Sequence, residues 1–303
     1  MMNETAPLWS LIIPTLNERD NILVLLRCLE DIAGSWPPCE VLVVDDRSED
    51  GTAALVSTST FSIPVRVLER DRVGGLAGAV LHGARAARAS VVVVMDADLS
   101  HPPEVIEALA APLLAGTHDL AIGSRHVAGG GCPDWPWRRR MMSRCAAWLA
   151  TPFTHASDPM SGFFAARRAD LLTLGEEPTG FKILLELLAR HNDPTRVAEI
   201  PIVFQDRRLG TSKLGLRTIS DYLRRLVILG GCNLSPRAGA GFALVGLTGI
   251  AVDLAMFSVC RQAGPASPWP TWSGSPPPRS PTSCSTLAMP SRRDRGCLPT
   301  SAS

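Results

Sequence analysis

Short apolar runs alternate with segments of helical hydrophobic spacing along the first half of the chain. The apolar runs lie at 8–13, 41–44, 65–68 and 91–94, and helical spacing occurs at 21–32, 74–89 and 102–114. Strands that alternate with helices at this spacing build a mostly parallel sheet covered by helices on both faces. The pattern therefore predicts a doubly wound α/β domain.

The pattern continues less regularly in the second half. A strand and loop are predicted for 119–125, a turn and an edge strand for 158–165, and a last strand for 197–204. Helices are predicted for 181–190 and 214–229, and the second of these resembles a helix lying on a membrane surface. Within the first helix Glu186 stands among leucines, and we expect it on the helix surface.

Two acids follow the most apolar of the predicted strands. Val91–Val94 predict a buried strand, and Asp96 and Asp98 come directly after it. Charge at the carboxyl end of an apolar strand is typical of ligand sites in open α/β sheets. An Asp-x-Asp pair supplies hard oxygen ligands that suit Mg²⁺ or Mn²⁺ bound together with a substrate phosphate. The alternative is a solvated acidic loop.

The second predicted strand also ends in acids, Asp45 and Asp46. An aspartate in this position can accept hydrogen bonds from the base or the ribose of a nucleotide. The alternative is a turn that leads into a helix cap, which Asp50–Thr52 would serve. Both acidic loops follow strands of one parallel sheet, so we expect them on the same edge.

Two segments rich in cations follow. A Gly- and Trp-rich stretch, 129–137, leads into Arg138–Arg140, and the loop 206–213 combines cations, hydroxyl groups and glycine. Guanidinium groups match the geometry of phosphate, so a mobile loop beside the three arginines and the later loop both suit an anion. For the three arginines, a helix start that is merely solvated is the alternative.

Composition excludes several classes of function. The chain of 303 residues has 30 Lys and Arg against 29 Asp and Glu, and this balance argues against a nucleic-acid partner. The eight cysteines form no CxxC pair and no Cys/His cluster, which favours a reduced compartment over a disulfide framework or a zinc site. Residues 1–9 lack the basic start and apolar run of a signal peptide.

The end of the chain has a different character. Residues 239–260 are mostly apolar, with Asp253 as their one charged residue, and are long enough to span a bilayer. Arginines before this segment place the N-terminal domain on the cytoplasmic side of the cell membrane. A buried core helix is the alternative.

Residues 265–303 contain nine prolines and nine serines without apolar periodicity, which predicts a disordered tail. The abrupt change suggests a membrane domain cut short, through a frameshift or a sequencing error. The predicted organisation is therefore an α/β domain over 1–235, a transmembrane helix over 236–264 and the tail over 265–303.

Seven motifs occur in a fixed order within residues 8–230. They are Ile12–Glu18, Val44–Thr52, Met95–Pro103, Gly123–Arg125, Ser161–Phe164, Gly180–Leu184 and Gly210–Lys213. The ordered set resembles glycosyltransferase family 2, and within it the dolichyl- or polyprenyl-phosphate mannosyltransferases. The segment from Gly239 onward resembles the first span of a GtrA-like membrane domain.

The resemblance implies a GT-A fold, a nucleotide-sugar donor, a divalent metal (Mg²⁺ or Mn²⁺) and an inverting transfer. It assigns the nucleotide to Pro14, Leu16, Glu18, Asp45 and Asp46. It assigns the metal and the donor diphosphate to Asp96 and Asp98, with Ser100 at the metal position. It assigns the donor or lipid phosphates to Arg125, Arg139, Ser161, Arg207 and Lys213. The catalytic set it implies is Asp98, Arg125, Arg139, Ser161 and Lys213.

Two positions depart from the family pattern. Leu16 stands where the family often has an aromatic residue, which weakens base stacking. Ser100 stands where a glutamine often helps the metal, so the metal coordination then needs a water molecule. His101 precedes two prolines, and we expect a structural role for it.

These expectations lead to one main function and two alternatives. The main one is transfer of a hexose, mannose from GDP-mannose, to a polyprenyl or dolichyl phosphate at the cytoplasmic membrane face. The alternatives are transfer of glucose or a similar sugar from a UDP donor, and a non-catalytic membrane-binding module. A nicotinamide dehydrogenase is set aside because no Gly-x-Gly-x-x-Gly turn follows the first strand.

Overall fold

A computed structural model of the chain describes residues 6–71, 74–175, 182–191, 193–206 and 216–229, with side chains from residue 220 in the last segment. The strands are β1 Trp9–Thr15, β2 Cys39–Asp45, β3 Val65–Glu69, β4 Val91–Val94, β5 Leu120–Ser124, β6 Phe164–Arg167 and β7 Val197–Pro201. They form one sheet in the order β3-β2-β1-β4-β6-β5-β7. All neighbours are parallel except those of β6, which runs antiparallel to β4 and β5. The prediction of a mostly parallel sheet is confirmed.

Helices cover both faces of this sheet. The α-helices are α1 Arg19–Ile32, α2 Thr52–Ser57, α3 Gly75–Ala86, α4 Ile106–Leu114, α5 Trp137–Ala150, α6 Arg168–Leu172, α7 Ile183–Arg190 and α8 Leu216–Leu229. Short 3₁₀ turns lie at Ala33–Ser35, Pro103–Val105 and Pro194–Arg196. On one face α1 and α4 pack over the strands, and on the other face α3 and α7 do so.

The burial of the four valines of β4 explains why every residue of this strand is apolar. Val91 and Val93 belong to the core beneath α1 and α4, whereas Val92 and Val94 belong to the core beneath α3 and α7. Successive side chains of a strand point to opposite faces, so a strand buried on both faces has no polar position. The sheet is therefore doubly covered, as predicted.

The strand β6 lies inside the sheet, between β4 and β5. The prediction of an edge strand for 158–165 was therefore wrong. Phe164, Ala165 and Ala166 are buried, because helices cover both faces at this point. The position of a strand in a sheet depends on pairing with distant segments, which a four-residue pattern does not reveal.

The helix α8 packs on α5 and α7. Tyr222 and Leu226 form a small apolar cluster with Ala150 of α5 and Leu185 of α7, and the Tyr222 hydroxyl donates to the Ala146 carbonyl at 2.6 Å. Its opposite side is exposed, so the predicted amphipathic character is confirmed, while contact of α8 with a membrane stays a prediction.

Glu186 does not lie on the protein surface. It is 6% exposed and forms an ion pair with Arg225 of α8 through both carboxylate oxygens. The expected surface position was wrong because α8 covers this side of α7. A buried carboxylate needs a partner of opposite charge, and here that partner comes from a helix almost 40 residues away.

Three predicted features lie outside the described residues. They are the membrane span at 239–260, the tail at 265–303 and most of the loop at 206–213. Among the residues that the structure does describe, none of the helices is long and apolar enough to cross a bilayer.

Removal of Arg225 should destabilise the protein far more than removal of its neighbour. Arg225→Ala leaves the buried Glu186 carboxylate without its partner, and we expect a loss of about 3 kcal/mol in the free energy of unfolding. Arg224 is exposed, so Arg224→Ala should change that energy by less than about 0.5 kcal/mol. Urea denaturation of both variants measures the difference, and equal midpoints would contradict the role of the ion pair.

Candidate active site

The acidic loop after β4, residues 96–101, is held in shape by two hydrogen bonds between its own residues. The Asp96 backbone N–H donates to Nδ1 of His101 at 3.4 Å, and the Ser100 N–H donates to the Asp98 carboxylate at 3.1 Å. Leu99 between them has a left-handed backbone with φ of 61°. These bonds hold Asp96 and Asp98 together at the carboxyl edge of the sheet.

His101 packs against aromatic side chains beneath the acidic loop, in line with the structural role expected for it. The ring is buried, stacks on Phe163 at 5.1 Å and meets Phe204 edge-on at 5.4 Å. Burial lowers the pKa of His101 to about 4, so the imidazole is neutral at physiological pH. A neutral Nδ1 can accept the Asp96 N–H, whereas a protonated ring could not.

The acidic loop fits a divalent cation. Besides two carboxylates, it contains the Ser100 hydroxyl, which is buried and has no hydrogen-bond partner. Among the described residues no cluster of three or more His, Cys, Asp or Glu side chains occurs. Mg²⁺ in phosphate-handling sites is commonly held by one or two carboxylates with waters and substrate phosphates, so two acids suffice. The donor set therefore fits the predicted metal position at Asp96, Asp98 and Ser100.

Arg125 lies just after β5 and forms a buried ion pair with Asp158. Its Nε and Nη2 donate to the two carboxylate oxygens at 2.7 and 2.8 Å, and its backbone N–H donates at 3.0 Å. Burial alone would raise the pKa of Asp158, but these hydrogen bonds lower it below its ordinary value. The ion pair with Asp158 therefore holds the Arg125 guanidinium in one orientation.

Lys182 is a site residue to which the motif analysis assigned no role. It lies partly buried just before α7, and its Nζ donates to the Met160 carbonyl at 3.0 Å. Burial and the positive charge of Arg125 lower its pKa to about 8, while Asp96 and Asp158 oppose that shift. A lysine directly before an apolar helix that enters the core was the available signal. The structure thus brings Asp96, Arg125 and Lys182 into one electrostatic cluster.

Aromatic rings cover the cationic side of this cluster. The Trp135 ring lies 4.0 Å from the Arg139 guanidinium and 5.2 Å from that of Arg125, and Phe204 lies 5.5 Å from Arg125. Arg139 also pairs with Asp206 at 2.8 Å, yet its buried Nε has no hydrogen-bond partner. One donor of Arg139 is therefore left unsatisfied within the protein.

The loop around residue 131, which was predicted to be mobile, is tied to the sheet. The Gly131 N–H donates to the Ile202 carbonyl at 2.9 Å, and its own carbonyl accepts from Phe204 N–H at 2.8 Å. The Gln205 N–H in turn donates to the Ser100 carbonyl at 3.1 Å. Backbone hydrogen bonds therefore join three segments, namely the Gly- and Trp-rich stretch 129–137, residues 202–205 after β7, and the acidic loop after β4.

The two predicted nucleotide acids also have structural roles. Asp45 accepts from the Thr15 hydroxyl at 2.9 Å and from the Ser48 N–H at 2.8 Å. Asp46 pairs with Arg70 and accepts from the backbone N–H of Gly74 and Gly75, which explains the paired glycines. Both acids are 2% exposed. Their contact with a nucleotide stays a prediction.

The remaining predicted nucleotide residues lie close by. Pro14 is buried in β1, and Leu16 is 36% exposed at the end of that strand. Glu18 accepts a hydrogen bond from the Asn21 side chain at 2.8 Å. The exposed Leu16 is accessible to a ligand, whereas the side chain of Pro14 is not.

Ser161 and Gly162 connect β6 to the acidic loop. The Ser161 hydroxyl is buried and donates to the Gly123 carbonyl at 2.7 Å, so its contact with a phosphate stays a prediction. A Cβ on Gly162 would lie 2.8 Å from an Asp96 carboxylate oxygen. The predicted phosphate ligands Arg207 and Lys213 lie outside the described residues.

A family comparison matches most of this sheet and site. Residues 10–181, more than half of the chain, match the model of the family described as Glycosyl transferase family 2. The chain belongs to glycosyltransferase family 2. As a member of this family, the protein is a glycosyltransferase.

Relatives within the family extend the match. A dolichol-phosphate mannosyltransferase of Pyrococcus furiosus is 40% identical over 248 residues, which are 80% of this chain and 70% of that protein. The dolichol-phosphate mannosyltransferase of Saccharomyces cerevisiae is 38% identical, over 72% of this chain and 85% of its own. A polyprenol monophosphomannose synthase of Mycolicibacterium smegmatis is 38% identical, over 69% and 82%.

Solved structures share the fold. Glucosyl-3-phosphoglycerate synthase from Mycobacterium tuberculosis, in complex with Mn²⁺, UDP and glucosyl-3-phosphoglycerate, superposes with a TM-score of 0.57 at 21% identity, covering 76% of this chain and 81% of that one. Mannosyl-3-phosphoglycerate synthase from Rubrobacter xylanophilus gives 0.54 at 19% identity, covering 75% and 77%. At this level of identity the likeness establishes a GT-A-like fold.

Gly162→Ala should impair activity without unfolding the protein. The added methyl group would displace the Asp96 carboxylate, and a displacement of about 1 Å in such a site can cost about 100-fold in rate. Gly34→Ala is the control, because a Cβ there meets nothing within 4 Å. Sugar-transfer rates and thermal melting measure both effects, and an equal rate in the two variants would contradict the proximity of Gly162 to the site.

Lys182→Met should change the pH dependence of stability. A lysine whose pKa is about 8 in the folded protein and higher in the unfolded chain destabilises the fold increasingly as pH falls towards 8, and by a constant amount below pH 8. The free energy of unfolding of the variant should therefore improve relative to the wild type as pH falls from 10 through 8. Urea midpoints across this range test it, and a difference that does not vary with pH would disprove the shifted pKa.

Proposed function

We propose that this glycosyltransferase transfers mannose from GDP-mannose to a polyprenyl or dolichyl phosphate, with inversion at the sugar carbon. The observation that carries the proposal is the cluster of Asp96 with the partly buried cations Arg125 and Lys182 at the carboxyl edge of the sheet. Three relatives at 38–40% identity bear names of dolichol- or polyprenol-linked mannosyl transfer. Together these support a donor and an acceptor that both carry phosphate.

The acidic loop would hold the donor diphosphate through a divalent cation. Asp96 and Asp98, with the buried hydroxyl of Ser100, are the residues that would bind Mg²⁺ or Mn²⁺. Such a cation, when bound, neutralises the negative charge that develops on the leaving nucleoside diphosphate. The upstream loops organised by Asp45 and Asp46, with Pro14, Leu16 and Glu18, would receive the nucleoside.

The cations would reduce the electrostatic repulsion between the two phosphate-bearing substrates. Donor and acceptor both carry phosphate, so they repel one another unless positive charge lies between them. Arg125, Lys182 and the partly satisfied Arg139 supply that charge, and Ser161, Arg207 and Lys213 are further proposed contacts. A phosphate monoester is already ionised near neutral pH, so the attacking oxygen needs no strong general base. This agrees with His101, which is neutral and closely packed and is given no role as a base.

The proposed location is the cytoplasmic face of the cell membrane. A polyprenyl phosphate is embedded in the bilayer, so the enzyme must work at a lipid surface. The apolar segment 239–260 with arginines before it supports attachment there.

A donor panel tests the proposed reaction. Radiolabelled GDP-mannose, UDP-glucose and UDP-N-acetylglucosamine are each supplied with a short polyprenyl phosphate and either Mn²⁺ or Mg²⁺. We expect labelled lipid from GDP-mannose and a much slower reaction with either UDP donor. Product from UDP-glucose alone would replace mannose with glucose, and no product from any donor would indicate a non-catalytic module.

Asp98→Asn should abolish most of the metal-dependent transfer. Loss of one interaction that stabilises charge in a transition state typically costs about 10²–10³-fold in rate, and we expect a loss of this size. Glu107→Gln, an exposed acid on α4, is the matched control and should retain the wild-type rate. An unchanged rate in Asp98→Asn, with intact thermal melting, would remove Asp98 from the proposed metal position.

A further inference from the structure

Two arginines of the active site pair with aspartates in different ways. Arg125 and Asp158 share three hydrogen bonds, and their side chains are 10% and 0% exposed. Arg139 and Asp206 share one hydrogen bond of 2.8 Å, and their side chains are 32% and 41% exposed. An ion pair that both partners expose contributes little to stability, because water and salt compete for each charge. The Arg139–Asp206 pair can therefore open without disturbing the fold, whereas the buried Arg125–Asp158 pair cannot.

Arg139 has a second support that does not involve Asp206. Its guanidinium lies over the Trp135 ring, 4.0 Å from the ring centre, and Trp135 is only 7% exposed. A guanidinium over an indole face is held by cation–π attraction, which is stronger where water is excluded. The buried Nε of Arg139 also lacks a hydrogen-bond partner, so Asp206 satisfies the guanidinium only in part. The cation therefore stays at the site when the carboxylate leaves it.

Asp206 follows a backbone that is tied to the acidic loop. The preceding residue, Gln205, donates its N–H to the Ser100 carbonyl at 3.1 Å. Among the described residues, the Asp206 carboxylate bonds only to Arg139. Rotation about its side-chain bonds is enough to release Arg139, and the backbone hydrogen bond at Gln205 can stay in place. The exchangeable pair thus lies next to the loop at which substrate phosphate is expected.

We propose that Asp206 is an internal competitor of substrate phosphate. Its carboxylate occupies Arg139 in the free protein, and a phosphate group of the substrate displaces it. Phosphate can bond a guanidinium through two parallel hydrogen bonds and carries more charge than a carboxylate, so it can replace a carboxylate that is held by one bond. The inference rests on the proposed function in one respect, namely that Arg139 binds phosphate.

This competition sets the affinity of the site for phosphate. Protein in which Asp206 holds Arg139 cannot bind phosphate there, so the apparent dissociation constant rises with the fraction of protein in that state. The phosphate belongs either to the donor diphosphate or to the prenyl acceptor, which share this chemistry. Asp206 also takes back Arg139 when product leaves, which favours product release over product inhibition.

Removal of the Asp206 charge tests the competition. Isothermal titration calorimetry on the full-length chain measures the dissociation constants of geranyl phosphate and, with Mg²⁺, of GDP, at about 0.15 M salt. We expect Asp206→Asn to lower the constant of at least one probe about two- to fivefold, the range that loss of an exposed ion pair allows.

Asp134→Asn is the matched control. Asp134 is an exposed acid beside Trp135, and among the described residues it forms no ion pair. Its replacement removes the same charge from the same part of the molecule without releasing an arginine. Both dissociation constants should stay close to those of the wild type, because interactions of exposed charges are screened by salt.

A double substitution shows whether Asp206 acts through Arg139. In an Arg139→Gln background there is no guanidinium to occupy, so Asp206→Asn should give no gain in affinity. Thermal melting of each variant checks that the fold is retained. A large drop in the melting temperature of Asp206→Asn would contradict an exchangeable pair.

Three further results would overturn the proposal. Unchanged or raised dissociation constants in Asp206→Asn, or binding of neither probe to any variant, would show that the carboxylate does not compete with phosphate. An equal gain in Asp134→Asn would attribute the effect to overall charge. A gain that persists with Arg139→Gln would place it at another cation.

The two probes separate the two sources of phosphate. A gain for geranyl phosphate alone would assign the exchange to the acceptor, a gain for GDP alone to the donor, and a gain for both to each in turn. No sugar is transferred in these measurements. A gain in Asp206→Asn without any mannosyl transfer would therefore support the competition and reject the proposed reaction.

Discussion

The buried ion pair between Arg125 and Asp158 is the interaction on which the site depends. It joins the end of β5 to the loop before β6, and three hydrogen bonds define its geometry. Removing two charges from water costs several kcal/mol per ion, so a pair of this kind is retained only with near-complete hydrogen bonding. The rings of Trp135 and Phe204 then cover the guanidinium. Asp96 and Lys182 both interact electrostatically with this fixed cation.

Lys182 occupies an energetically costly position at the site. Desolvation and, second, repulsion by Arg125 lower its pKa to about 8. Asp96 and Asp158 offset part of that repulsion but not all of it. Clusters of like charge in a core are destabilising unless an anion joins them, and sites built to bind anions commonly have this imbalance. The packing of α8 on α7 adds stability next to this strained region.

Much of the fold, and the edge of the sheet at which the candidate site lies, could be predicted from the sequence. Val91–Val94 predicted a strand buried on both faces, and the acids after it marked the correct edge, because both signals are local. The roles of Lys182 and Glu186 could not be read in the same way. Each is decided by a partner far along the chain, Arg125 for the first and Arg225 for the second. The structural role of Asp46 depends likewise on backbone N–H groups of distant glycines.

The reversed direction of β6 has a consequence for how the site is assembled. Parallel strands deliver only the loops that follow them to the carboxyl edge of a sheet. Because β6 runs the other way, the segment that precedes it arrives at that same edge, and this segment carries Asp158, Ser161 and Gly162. At this edge, one antiparallel strand in the middle of the sheet thus adds a loop that leads into its strand (an incoming loop) to loops that follow theirs (outgoing loops). This incoming loop can therefore change in sequence independently of the outgoing loops, to which it is joined only in space.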